Sequence, residues 1–137
     1  MAGTWTKESE ITGVRAQKAM AYGDLMAAIA NGASASLDGL LPMIDPARFV
    51  RRGNERTEMD WPTYRAMLEQ WTGHSRSYEK TLHRASEVGN LVYLDLDERA
   101  EANDGTVGSL RSISIYEFDE DDRIVAVDVI MGFHQPQ

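Results

Sequence analysis

The chain contains no cysteine. Disulfides, a thiolate metal site and a cysteine nucleophile are therefore excluded. Histidine is scarce too: His74, His83 and His134 are scattered, without the paired spacing of a histidine–carboxylate metal site. No apolar run approaches the ~18 residues of a membrane-spanning helix. The first residues lack the basic-then-apolar pattern of a secretory leader, so a cytoplasmic chain is expected. Basic residues are the minority, 14 against 22 acidic, for a net charge of −8. The imbalance sits in the second half: residues 1–60 carry 7 basic and 8 acidic side chains, residues 61–137 carry 7 and 14. A field of that sign repels phosphate backbones and anionic lipids. An apolar or neutral small molecule, or another protein, is the partner class that remains. The glycines of "DGTVGS" lack the lysine and strand–helix context of a phosphate loop. No serine-centred nucleophile elbow occurs either. The chemistry left open needs no cofactor.

What is present fits one domain. The 137 residues are 42% hydrophobic and 26% charged, an ordinary globular composition, and show no internal repeat or linker. Residues 1–8 read as a loose polar leader. From about Ser9, apolar residues at Ile11, Val14, Met20, Leu25, Met26 and Ile29 predict a first helix stopped by Asn31-Gly32. "SASLDGLLPMI" predicts a short second helix capped by Ser34 or Ser36, and "ARFVRRGNE" a short strand. "MDWPTYRAMLEQWTG" is the clearest helix. Asp60 suits its N-cap, Pro62 its first turn and Gly73 its stop, with Trp61, Tyr64, Leu68 and Trp71 on one apolar face.

After His74 the hydrophobic period shortens from about 3.6 to 2. Strands are predicted near 77–87, 90–101, 107–118 and 123–133, joined by Val88-Gly89-Asn90, "ANDGTVG" and "DEDDR" as an antiparallel meander. The acidic run Asp119–Asp122 reads as a solvated hairpin tip. Helices first and strands after suggest an α+β fold, three helices packed on a strongly curved antiparallel sheet that encloses a pocket. In the second long strand, Tyr93, Asp95 and Asp97 alternate with Val92, Leu94 and Leu96. Asp95 and Asp97 share a face, with backbones roughly 6.6 Å apart. If buried together, repulsion would raise one pKa and make it a usable acid or base; if wet, they are the polar side of an amphipathic strand.

The helix with "AYGDL", the short helix "LDGLLPMI", the helix "WPTYRAMLEQW" and the closing hairpin "SISIYEFDEDDRIVAVDVIM" resemble the cone-shaped nuclear-transport-factor-like superfamily. SnoaL-like polyketide cyclases, ketosteroid isomerases, scytalone dehydratase and limonene epoxide hydrolase belong to it. The resemblance covers nearly the whole chain and is architectural. It implies one SnoaL-like domain over 1–137, a deep apolar pocket and a homodimer formed through the outer sheet face, here with Ile113, Ile115, Ile124 and Ile130. The dehydratase type implies His83 paired with Asp24. The epoxide hydrolase type implies Asp97, although Asp95 stands where that arrangement needs arginine. Asp128 falls on the face opposite Val127, Val129 and Met131.

The expected activity is cofactor-free acid–base catalysis on an apolar or polycyclic small molecule: isomerisation, cyclisation or dehydration. His83 serves as base or acid because imidazole exchanges protons near neutrality, and a carboxylate fixes its tautomer. Asp24 is its partner, Tyr22 donates to a developing oxyanion, and Asp95 or Asp97 completes the set. Alternatives are an epoxide hydrolase or epoxide-opening cyclase that uses Asp97, and a non-catalytic module that binds a small ligand or a protein. Arg51 and Arg52 reach a pocket mouth, meet a carboxylate or lie on the surface.

Overall fold

A computed structural model of the chain describes residues 13–32, 36–72 and 75–133. His74, His134, Gly73, Ser34 and Ile11, all named above, lie outside the described residues. Helix α1 spans Val14–Ala30, a 3₁₀ helix Leu37–Met43 and helix α2 Trp61–Thr72. The strands are β1 (Val50–Arg52), β2 (Glu58–Asp60), β3 (Ser75–Val88), β4 (Leu91–Ala102), β5 (Val107–Phe118) and β6 (Ile124–Phe133). They form one sheet in the order β2-β1-β6-β5-β4-β3, curled around the helices without closing. The four long strands are antiparallel neighbours, as predicted. The sheet is nevertheless mixed, because β1 runs parallel to β6, with Arg51 opposite Val127. Helix α2 then carries the chain from β2 at one edge to β3 at the other. The short β2 was not predicted.

Local chemistry explains the boundaries. Asp60 accepts from the Thr63 amide at 3.0 Å and caps α2, and Ser36 accepts from the Asp38 amide at 3.1 Å. The N-terminus of α1 has no cap from its own side chains. Glu87, at the end of β3, supplies one by accepting from the Ala16 amide at 2.7 Å. Gly89 turns β3 into β4 with φ +59, a conformation that favours glycine. The tip between β5 and β6 is only partly a solvated acidic run. Asp119 is 7% exposed, and its Oδ1 accepts the amides of Asp121 and Arg123, both at 2.9 Å. It pairs with Arg48 at 2.9 Å. Turn geometry draws it inward, since unpaired amides there would lose hydrogen bonds.

The core lies between the inner sheet face and the helices. Tyr22, Leu40, Ile44, Phe49, Trp61, Tyr64, Leu68, Leu94, Tyr116 and Val127 are all buried. The apolar face expected for α2 is found, with Trp71 partly buried at its end. In α1 the predicted Met20 and Ile29 are buried, Leu25 and Met26 pack against the core, and Ala16, Ala19 and Tyr22 join them; of the predicted residues described, Val14 alone is turned out, 59% exposed. Small alanines on the same face let α1 approach the sheet. Ile113, Ile115 and Ile130 lie away from the core, but Ile124 is fully buried, because a register shift beside Phe118 turns the start of β6 inward.

Candidate functional site

Between α1, α2 and the inner sheet face lies a cavity of about 430 Å³. Its walls are largely apolar: Met26, Leu68, Trp71, Leu94, Leu96, Val127, Val129 and Met131 all contribute. The polar groups among them come from six elements. Tyr22 is on α1, Arg51 on β1, Tyr64 on α2, Tyr78 and Lys80 on β3, Glu98 on β4, and Ser114 and Tyr116 on β5. Alternation on the strands aims them. Leu94, Leu96, Glu98 and Ala100 are every second residue of β4, and all four face the cavity.

Glu98 is the carboxylate on this inner face, and the Tyr78 hydroxyl donates to its Oε1. Lys80 stands opposite Glu98 in the β3–β4 register but spends its ammonium on Asp24, 2.8 Å away and 47% exposed at the rim. Gly23 leaves space for that ammonium, since a Cβ there would lie 2.9 Å from Nζ. Tyr22 and Tyr116 meet edge to face at 5.7 Å, and the Arg51 guanidinium sits 5.6 Å from the Tyr64 ring centre. The Tyr22 hydroxyl has no hydrogen-bond partner of ordinary distance and angle among the described residues, although Tyr64 is near enough to couple to it.

Burial raises the pKa of all four tyrosines. Repulsion between tyrosines adds to burial at Tyr22, and the charge of Glu98 adds at Tyr78, whereas Arg51 partly opposes burial at Tyr64. All four hydroxyls are therefore protonated donors at neutral pH. No group of three or more histidine or carboxylate side chains suited to a metal occurs among the described residues.

No family model matches the sequence, and no curated protein matches it. Solved structures do. An NTF2-like protein of unknown function from Exiguobacterium sp. 255-15 is 15% identical, superposes with a TM-score of 0.71, and covers 84% of this chain and 98% of its own. The chain has the NTF2-like fold. A proposed SnoaL-like polyketide cyclase from Shewanella denitrificans OS-217 shares it at 12% identity and TM-score 0.74, with 88% and 92% covered. So does an LEH-like epoxide hydrolase from M. tuberculosis, at 14% identity and TM-score 0.65, with 85% and 84% covered. These identities carry the architecture alone, and some neighbours with it are enzymes.

Within this NTF2-like cone the predicted site residues divide. Tyr22 lines the cavity, as its assigned role required. Asp24 reaches the rim, but its partner is Lys80 rather than His83. His83 lies in a β-bulge between Leu82 and Arg84, and its Nε2 is 2.8 Å from Asp97 Oδ2. Leu96 and Glu98 face the cavity, so Asp97 between them faces outward and holds His83 on that side. Asp95 is outward too. It is 8% exposed and gripped by Arg84 and Arg111, both at 2.9 Å. The hydrogen bond from Arg111 is the main reason its pKa is lowered, with that from Arg84 adding and burial opposing. The raised-pKa acid considered for the Asp95–Asp97 pair is thus replaced by a firmly ionised one. Asp128 is outward as expected, bound to Arg52 Nε at 2.7 Å.

The carboxylate that sequence reasoning missed is Glu98. It lies one step further along the alternation of Val92, Leu94 and Leu96, and continuing that alternation would have found it. Arg51 and Arg52 separate by the same parity: Arg51 enters the cavity and Arg52 meets a carboxylate.

Proposed function

We propose that the cavity binds an apolar or polycyclic small molecule and that Glu98 performs cofactor-free proton transfer on it. The observation that carries this reading is a carboxylate on a largely apolar cavity wall, opposed by buried, protonated tyrosines. Glu98 takes a proton from carbon next to a carbonyl. The Tyr64 and Tyr116 hydroxyls donate to the oxygen as it gains negative charge, in surroundings that screen charge poorly. The Tyr78 hydrogen bond holds the carboxylate in one orientation. Returning the proton elsewhere on the skeleton isomerises it; attack by the carbanion, or loss of a β-oxygen, gives cyclisation or dehydration.

The test is hydrogen–deuterium exchange at the α-carbon of a bicyclic ketone such as 2-tetralone, followed by proton NMR. Wild-type protein accelerates exchange, and Glu98→Gln reduces it by about 10²–10⁴-fold. Equal exchange by the two proteins sinks the assignment of Glu98. Exchange no faster than in buffer makes the cavity a binding site without chemistry. We also propose that the outer face pairs two copies of the chain, through the apolar strip of Ile113, Ile115 and Ile130, the last 46% exposed. Sedimentation of Ile130→Glu as a monomer, against a wild-type dimer, checks it.

A further inference from the structure

Arg51 is the cavity group that proton transfer leaves unexplained. No carboxylate lies within ion-pair distance of it among the described residues. The other cationic residue on the wall, Lys80, is paired with Asp24, and Glu98 is occupied by Tyr78. Arg52, its neighbour, turns outward to Asp128 and Glu58. The Nε of Arg51 is buried and has no hydrogen-bond partner, and the guanidinium lies over the Tyr64 ring, close enough to act on the Tyr64 hydroxyl. A desolvated donor without an acceptor is costly, and more so when charged. The Tyr22 hydroxyl, with only Tyr64 near it and no well-formed hydrogen bond, lines the same cavity, and the residue is 1% exposed. Arg51 acts electrostatically on both Tyr22 and Tyr64, which sets the three groups in one region of the wall. Neutral carbonyls are served by tyrosines alone, whereas a planar guanidinium matches a carboxylate with two parallel hydrogen bonds.

We propose that the ligand of this cavity is an apolar acid, its carboxylate held by the Arg51 guanidinium and the Tyr22 hydroxyl. Its hydrocarbon body packs against Leu94, Leu96, Val127 and Trp71. Glu98 repels a second anion, so the carboxylate belongs at the Arg51 end. The reacting carbonyl is then a separate group, and the substrate class is a polycyclic or aryl keto acid. This rests on the cavity being the ligand site, and not on the role of Glu98 as base. The chain's charge of −8 disfavours anions in general, so a preference for one must arise locally.

Calorimetric titration with 2-naphthoate and with the isosteric, uncharged 2-naphthamide tests the inference. Wild-type protein binds the carboxylate about tenfold or more tightly than the amide. Arg51→Met removes that preference, Arg51→Lys restores part of it, Tyr22→Phe weakens naphthoate several-fold, and Glu98→Gln keeps the preference. If the Arg51 variants do not fold, the Arg51 Nε–H resonance of wild-type protein is followed instead, and it shifts with naphthoate but not with naphthamide. The inference is overturned by equal binding of the two ligands, by a preference that survives Arg51→Met, by an unmoved Arg51 resonance, or by no naphthoate binding at about 10 mM. Loss of exchange activity in Glu98→Gln with no carboxylate preference would separate the two proposals.

Discussion

The two faces of the same sheet treat charge in opposite ways. On the outer face Asp95 meets Arg84 and Arg111, Asp97 meets His83, and Asp128 meets Arg52. On the inner face Glu98 meets a tyrosine hydroxyl and Arg51 meets Tyr64, while Lys80 reaches out to Asp24. The outer pairs tie β3 to β4, β4 to β5 and β1 to β6. The inner charges hold little structure together. Charged groups in a folded chain become available for binding or chemistry where neighbours decline to neutralise them, and here that is the concave side.

Four experiments press on this difference, from the largest expected effect down. Exchange kinetics come first: Glu98→Gln loses about 10²–10⁴-fold, while Asp97→Asn and His83→Ala stay within about twofold of wild type. A large loss in either outer variant would dissolve the distinction between faces.

Packing comes next. Leu94 is 2% exposed and its neighbour Tyr93 is 38% exposed. Urea denaturation of Leu94→Ala shows a loss of about 2–5 kcal/mol, and Tyr93→Ala a loss of about 1 kcal/mol or less. Comparable losses would mean that the outer face is covered.

Third is Asp95→Asn. Its carboxylate is nearly buried, but Arg84 and Arg111 are 71% and 56% exposed, so solvent screening reduces the cost to about 1–2 kcal/mol near neutral pH. The pH dependence has a definite sign. A carboxyl whose pKa is lower in the folded state favours folding above its unfolded value of about 3.9, and that contribution fades as pH falls through the folded value. Denaturation midpoints of wild type and Asp95→Asn should therefore converge below about pH 4. A gap that persists in acid would assign the cost to shape rather than charge.

The smallest effect belongs to Arg52→Gln, which opens the Arg52–Asp128 pair. Melting measurements should show a loss of about 0.5–1 kcal/mol that shrinks with added salt.

Much of the architecture was legible because it follows from repeating patterns. The change of period after His74 located all four long strands, and the stripe of Trp61, Tyr64 and Leu68 located the inward face of α2. Short-range capping by Asp60 and Ser36 was readable for the same reason, since donor and acceptor are two or three residues apart. The candidate site was less legible. Alternation separated Asp95 and Asp97 from Leu94 and Leu96 without saying which side was concave, and the histidine drew attention away from Glu98. The bulge at His83 is a local insertion in the pairing and leaves no mark in the hydrophobic pattern.

By itself, then, the sequence determined the order of elements, the long strands and the separation of residues into two faces, because hydrophobic period and capping are local properties. The tertiary structure decided which face became the cavity wall, that β1 lies parallel to β6, and that His83 pairs with Asp97 while Asp24 pairs with Lys80. The physical reason is range. Those partners lie tens of residues apart or across a bulge, and only the curl of the sheet around α1 and α2 selects which charges meet and which are left facing an apolar space.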